Sequence, residues 1–296
     1  MKIIYMNNSS FRNNLNLDKI YVSVVIATFN GEKLILELLE SIANQTHQVD
    51  EIIVCDDCST DNTIKILEVF KLKYPYLNIR IIVNRYQLGV TKNFSKAIKL
   101  SESELIFLAD QDDIWHNDKV QVMLHAYING NSSYIISDMN VLNTTGNLEK
   151  FTWAEFMENN YGITKSHVMN GCAVAATKKF FSSCLPVPYG KAHDVWFAYC
   201  AKRLKTRVFL DKPLMNYRIN PQGVTSYKFL DNLKLSKKSV GSQINNNLKT
   251  LISTEDKLKL VIIKSMMHLY FLSVVIKFKL FKKSNFTVRR EHHGRQ

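Results

Sequence analysis

The 296-residue chain is 46% hydrophobic with five cysteines; it can bury a substantial core, which excludes a disordered or fibrous protein, and its odd, unframed cysteines argue against a disulfide-stapled secreted one. The formal charge of +13 sits in the tail, where residues 226–296 hold 15 Lys or Arg against 4 Asp or Glu while residues 1–225 hold 24 against 22. A near-neutral body with a basic tail points to an anionic surface such as phospholipid headgroups, or to an acidic polymer, and away from nucleic acid.

Residues 1–19 are polar and Asn-rich, lack the order of a signal peptide, and read as a loose lead-in. From Tyr21 the pattern alternates. "YVSVVIAT" reads as a strand, and the next segment sets Leu34, Ile35, Leu38, Leu39 and Ile42 on one helical stripe. "EIIVC" reads as a second buried strand, with Ser59 or Thr60 placed to cap a helix that turns Ile64, Leu67 and Phe70 inward. "IRIIV" and "ELIFLA" add two strands around a short helix carrying Phe94, Ala97 and Ile98. Strands and helices alternating at this spacing predict a mainly parallel sheet with helices on both faces.

"NDKVQVMLHAYI" reads as a helix, "SYIIS" as a strand, "NTTGN" as a turn and 149–167 as a polar stretch. A strand-like "VMNGCAVAAT", a helix ending before "PVPYG", a helix over about 194–204 and strands "RVFL" and "LMNYRI" complete the body, with no linker dividing it. We expect a lead-in at 1–19, one domain at 20–226 and a basic, amphipathic helical C-terminal extension at 227–296. The apolar run between Lys264 and Lys277 is short of the roughly 20 residues that span a bilayer, so an in-plane membrane helix or one packed on the domain is expected.

In sheets of this kind ligands bind beyond the C-terminal strand ends. There stand Thr28, Phe29 and Asn30, then Asp56 and Asp57, then "DQDD" with Asp110, Gln111, Asp112 and Asp113. Like charges so close raise one another's pKa unless a cation sits between them. Three readings apply: ordinary turn residues, a hard-oxygen site for Mn²⁺ or Mg²⁺, or an aspartyl nucleophile of the haloacid-dehalogenase kind. The last is weak, because its Asp-x-Asp belongs on the first strand, which here ends in "ATFN".

Taken in order, "VSVVIATFNGEKLILELLESIANQT", "EIIVCDDCSTDNT", "NRYQLGVTKNFSKAI", "LIFLADQDDIWHNDKV", "MNGCAVAATKKF", "AHDVWFAYCA" and "YRINPQGVTS" resemble the family 2 glycosyltransferases of the GT-A fold over about residues 21–226. "DQDDIW" is similar to the rhamnosyltransferase-like subgroup of bacterial surface-polysaccharide enzymes. The resemblance implies an inverting, metal-dependent transfer of a hexose or deoxyhexose from a dTDP- or UDP-sugar to a hydroxyl of a growing glycan, such as a capsule or O-antigen unit on a lipid carrier. It also implies a cytoplasmic protein, peripheral at the inner membrane face. Thr28, Phe29, Asn30 and Asp57 would serve the nucleoside, Lys92 the diphosphate, Asp110 and Gln111 the nucleotide side, and Asp112 with Asp113 the metal.

A sugar hydroxyl is too weakly acidic to attack unaided, so a carboxylate must take its proton. The resemblance puts that base at Asp194; alone, Asp194 would read as a helix N-cap. Gly171 matches a family glycine near the acceptor or serves strand packing, Trp196 either stacks on a sugar face or fills the core, and Trp115 reads as core. Two departures stand out. Cys58 replaces a usual glycine, and "CDDC" reads as core plus substitution rather than a redox pair. Asn220 stands where relatives carry a histidine that helps hold metal or diphosphate, a loss His193 is placed to offset. Two other classes compete: a non-catalytic nucleotide-sugar or glycan binding module, and a nucleotidyltransferase on the same metal site.

Overall fold

The strand that organises the sheet is Val22–Thr28, every residue of which except Ala27 is buried. A run of apolar and β-branched residues without alternation suits a strand covered on both faces, which is the condition of a parallel sheet. In this computed structural model the described residues are 2–4 and 20–219, apart from 131, 144, 166, 167 and 169. The chain divides after Ile219. Asn220, the expected boundary at 226 and the C-terminal extension therefore lie outside the described residues, as does most of the lead-in.

The first half runs β1 (Lys2–Ile4), β2 (Val22–Thr28), α1 (Ile35–Ala43), β3 (Glu51–Asp56), α2 (Thr63–Lys73), β4 (Ile79–Val83), α3 (Val90–Leu100) and β5 (Leu105–Asp110). The expected stripes hold: α1 buries Ile35, Leu38, Leu39 and Ile42, and α3 buries Phe94, Ala97 and Ile98. The second half runs β6 (Ile114–Trp115), α4 (Lys119–Gly130), β7 (Tyr134–Leu142), β8 (Leu148–Thr152), α5 (Trp153–Tyr161), a 3₁₀ turn Gly171–Ala173, β9 (Val174–Thr177), α6 (Lys178–Cys184), α7 (His193–Arg203) and β10 (Arg207–Arg218).

The strand order is β1-β10-β7-β9-β5-β2-β3-β4, with β6 on β10 and β8 on β7. β2, β3, β4 and β5 pair in parallel, as do β1, β10 and β7. β9 runs antiparallel between β5 and β7 and joins the two parallel groups into one mixed sheet. Register then builds the site: Thr28 lies opposite Asp56, and Ala27 opposite Asp110. Three strand ends thus form one rim.

Three local expectations are corrected. α2 begins at Thr63 after Asn62, not at Ser59 or Thr60. The reason is local side-chain competition: Ser59 donates its backbone N–H to Asp56 and Thr63 donates its own to Asp61, which holds residues 56–62 as a loop. The stretch 149–167 contains β8 and α5, the latter opened by a reciprocal capping box between Thr152 and Glu155. "RVFL" and "LMNYRI" form one strand, β10, whose register shifts on either side of Pro213, a residue with no N–H to give the ladder.

Candidate active site

The acidic loop leaves β5 at Asp110 and returns through β6, which pairs antiparallel with β10 at Trp115↔Met215. Trp115 is core, as expected, at 2% exposure. Asp113 is fully buried and neither of its carboxyl oxygens has a hydrogen-bond partner. A carboxyl orphaned in this way is costly unless it is protonated or meets a cation. Burial first, then the charges of Asp110 and Asp112, pushes its pKa well above the ordinary range. Asp110 is pushed up to about 7, by burial first and then by Asp112 and Asp194.

The last of those causes brings the acceptor half of the chain into the site. Asp194 stands close enough to Asp110 for its charge to count, although 84 positions separate them. It occupies the second position of α7, whose N-cap is Ala192, so the N-cap reading of Asp194 does not hold. One carboxylate oxygen accepts the N–H of Val195 at 2.7 Å. The fold therefore brings together a protonatable acidic loop and a half-buried carboxylate from another element.

Gly171 explains how they approach. A Cβ on Gly171 would lie 2.9 Å from Nε2 of His193 and 3.3 Å from Cβ of Asp194. His193 is buried, stacks on Phe94 with ring centroids 4.5 Å apart, and has no hydrogen-bond partner on either ring nitrogen. Burial lowers its pKa, opposed by the charge of Asp194. Trp196 does not fill the acceptor-side role: it is 1% exposed and donates its indole N–H to the carbonyl of Cys184. It is a core residue that fixes α7 against α6.

Ligand atoms that group within 4.8 Å of one another belong to Asp110, Asp113 and Cys172; Asp112 is outside that group. Asp110 thus joins Asp113 as a candidate ligand beside the expected Asp112. Burial pushes the Cys172 thiol well up, so it stays protonated and leaves the two carboxyls as the hard donors. Two carboxyl groups as oxygen donors suit Mn²⁺ or Mg²⁺ better than a softer ion.

The nucleoside-side residues are in place on the rim, but several serve the chain itself. Thr28 is buried and donates its hydroxyl to Asp56 at 2.8 Å. Asp57 is buried too; its carboxylate accepts the N–H groups of Leu88 and Gly89 at 2.7 and 2.8 Å and the Asn84 amide at 2.9 Å. Thr28 and Asp57 thus brace the rim, and Asp57 ties down the entry to α3. Lys92 lies exposed on the first turn of that helix. Asn30 adopts φ 48 and accepts the N–H of Thr60 at 2.9 Å.

Gln111 closes the rim. Its side-chain oxygen accepts the N–H of Phe29 at 2.9 Å and its amide N donates to the Phe29 carbonyl at 3.0 Å, as a peptide group would. The fit needs Gly31, where a Cβ would come 2.5 Å from the Gln111 oxygen. Cys58 holds φ 66, a left-handed conformation that accounts for glycine being the usual residue there, and donates its thiol to the Asn84 carbonyl. Sequence reasoning passed over Lys119, Cys172 and Arg218. Arg218, at the end of β10, donates to the Asp112 carbonyl at 3.2 Å and pairs with Glu37 of α1 at 2.9 Å.

The model of glycosyl transferase family 2 matches residues 23–182, more than half of the chain. The chain belongs to that family. Among its relatives, this glycosyltransferase is 32% identical over 205 residues to the dTDP-rhamnosyl transferase RfbG of Shigella flexneri, covering 65% of the chain and 71% of that protein. It is 23% identical over 235 residues to the UDP-Glc:alpha-D-GlcNAc-diphosphoundecaprenol beta-1,3-glucosyltransferase WfgD of Escherichia coli, covering 78% and 90%. Among solved structures, residues 1–349 of TarS from S. aureus in complex with UDP superpose with a TM-score of 0.58 at 18% identity, covering 93% of each chain. The mannosyltransferase PcManGT from Pyrobaculum calidifontis, in complex with GDP-Man and Mn²⁺, gives 0.58 at 13% identity, covering 88% and 87%. The enzyme's fold is GT-A.

Proposed function

We propose that this enzyme transfers a hexosyl or deoxyhexosyl group, with inversion, from a nucleotide diphosphate sugar to a hydroxyl of a saccharide acceptor in the assembly of a bacterial surface polysaccharide. The observation that carries the reading is the Gly171–Ala173 turn, where a Cβ on Gly171 would lie 3.3 Å from Cβ of Asp194 and the next residue, Cys172, groups with Asp110 and Asp113 within 4.8 Å. A base on one side and a phosphate-directed acidic loop on the other is what a single displacement between two bound sugars needs.

Asp194 takes the proton of the attacking hydroxyl as its oxygen bonds to the anomeric carbon, and the bond from that carbon to the diphosphate oxygen breaks on the opposite face. Asp110 and Asp113 would hold Mn²⁺ or Mg²⁺, which when bound supplies charge stabilisation to the departing diphosphate. Lys92 reaches the same diphosphate from the start of α3. Gln111, through Phe29, keeps the nucleoside wall in shape. Asn220 offers a weaker oxygen than a histidine nitrogen.

The relatives favour a dTDP- or UDP-linked donor, and a lipid-diphosphate-linked saccharide as acceptor, because those are the substrates their names carry. Between rhamnose and glucose we favour rhamnose, on the "DQDDIW" loop and the more identical relative. Among the described residues no helix is long and apolar enough to cross a membrane. We place the enzyme in the cytoplasm, held at the inner membrane face by the charge of residues 227–296. Sedimentation of the full chain with anionic and with neutral liposomes tests that placement; equal binding to both removes it.

The test of the reaction is calorimetric titration with UDP, dTDP, GDP and CMP, each with and without Mn²⁺. It is followed by transfer from dTDP-rhamnose and UDP-glucose to a synthetic GlcNAc-diphosphate-alkyl acceptor. Metal-dependent binding of one diphosphate, with inverted product, is expected. A folded protein that binds none of them overturns the reading in favour of a binding module without turnover.

A further inference from the structure

Lys119, the first residue of α4, has no exposed surface. Lysine is almost never fully buried unless it is paired, yet no carboxylate lies within ion-pair distance of this one among the described residues. Its ammonium donates to the carbonyl of Cys172 at 3.0 Å and to Sδ of Met215 at 3.2 Å, and stands 4.0 Å from the centre of the Trp115 ring. Each contact lies on a different element: the 3₁₀ turn, β10 and β6. Asp113 and Asp110 are near enough to act on it electrostatically without forming an ion pair. A buried ammonium anchored on three separate elements is held in place by geometry.

The anchor on Cys172 is the informative one. Cys172 follows Gly171, and Gly171 is flush against His193 and Asp194. The ammonium therefore links the helix that follows the acidic loop to the turn on which the start of α7 rests. We propose that Lys119 is a positioning residue that sets the separation between the Asp110–Asp113 carboxyls and Asp194. It touches neither sugar nor diphosphate. This rests on the reading of Asp194 as the base.

The variant Lys119→Met keeps an unbranched side chain in the same space and removes both the charge and the donor. The readouts are thermal melting, Mn²⁺-dependent binding of UDP and dTDP by calorimetry, and the ratio of sugar transfer to hydrolysis of the same donor. Water is small enough to be activated by a displaced base, whereas a bound acceptor is not. We expect a folded variant with little change in nucleotide binding and a transfer-to-hydrolysis ratio reduced about tenfold or more. Unchanged transfer overturns the proposal, and so does a loss of nucleotide binding that matches the loss of transfer, which would make Lys119 a donor-site residue only. Should the variant not fold, Met215→Leu removes one anchor without touching the buried charge and is expected to lower the same ratio to a lesser degree; no change overturns the proposal. Asp194→Asn, run alongside, separates the two readings: if it transfers normally, the base assignment fails whatever Lys119 does.

Discussion

Gly171 and His193 are in contact so close that no side chain fits between them: a Cβ on Gly171 would sit 2.9 Å from the His193 ring nitrogen. His193 cannot step aside, because it is buried and stacked on Phe94. We expect Gly171→Ala to shift the start of α7 by a few tenths of an ångström and cost about 1–3 kcal/mol of stability as overpacking. Turnover should fall about tenfold or more while nucleotide binding changes little, because the displaced group is Asp194. Melting curves and initial rates on one preparation check both parts.

Asp194 gives the sharpest single test. Asp194→Asn keeps size and the hydrogen bond from Val195 but cannot take a proton. Transfer is expected to fall by about 10²–10⁴-fold, the usual contribution of general acid–base catalysis, with Mn²⁺-dependent diphosphate binding close to that of the parent. Equal activity in the variant would remove Asp194 from the mechanism.

The Gln111–Phe29 pairing acts on the donor side. Its two hydrogen bonds contribute about 0.5–1.5 kcal/mol each, so Gln111→Ala should raise the donor KM by roughly five- to a hundredfold with a smaller effect on kcat. Gly31→Ala should act in the same direction by pushing the Gln111 side chain aside. Kinetics at saturating acceptor distinguish a KM effect from a kcat effect.

Arg218 and Glu37 pair at 2.9 Å, but the Glu37 side chain is half exposed and an ion pair of that kind is worth about 0–1 kcal/mol. We therefore expect Glu37→Gln to be nearly silent. Arg218→Met also loses the bond to the Asp112 carbonyl and should weaken Mn²⁺ binding, read by electron paramagnetic resonance of the free ion. Equal effects of the two variants would show that the carbonyl contact does not matter.

The sheet was legible because buried parallel strands leave unbroken apolar runs, and β2, β3 and β5 each end at the polar residues that form the rim. α5 was not, because "TWAEFMENNY" is too polar to show a stripe; the Thr152 and Glu155 capping box was the available signal. Thr28 and Asp57 were placed on the correct rim, but whether a side chain faces ligand or its own chain depends on neighbours such as Leu88, 31 positions away. Lys119 was invisible for the same reason. A lysine at a helix start reads as solvated, and the groups that bury it lie 53 and 96 positions further along.

The acidic loop makes the metal-free enzyme's stability depend on pH in a direction opposite to the usual carboxylate. Asp110 is raised from 3.8 to about 7 in the fold, by burial and by its acidic neighbours. The folded state therefore binds more protons than the unfolded one between those values. The stabilisation is fully present below the unfolded pKa and is lost as pH rises through the folded one. From the size of the shift it is at most about 4 kcal/mol, less the share belonging to coupling with its acidic neighbours. We expect the melting temperature of the metal-free protein to fall between pH 4 and 7 more steeply than that of Asp110→Asn, and Mn²⁺ at pH 7 to raise the parent's but not the variant's. Parallel slopes for parent and variant would mean that Asp110 is already ionised in the metal-free fold, and that its surroundings do not hold the carboxyl protonated.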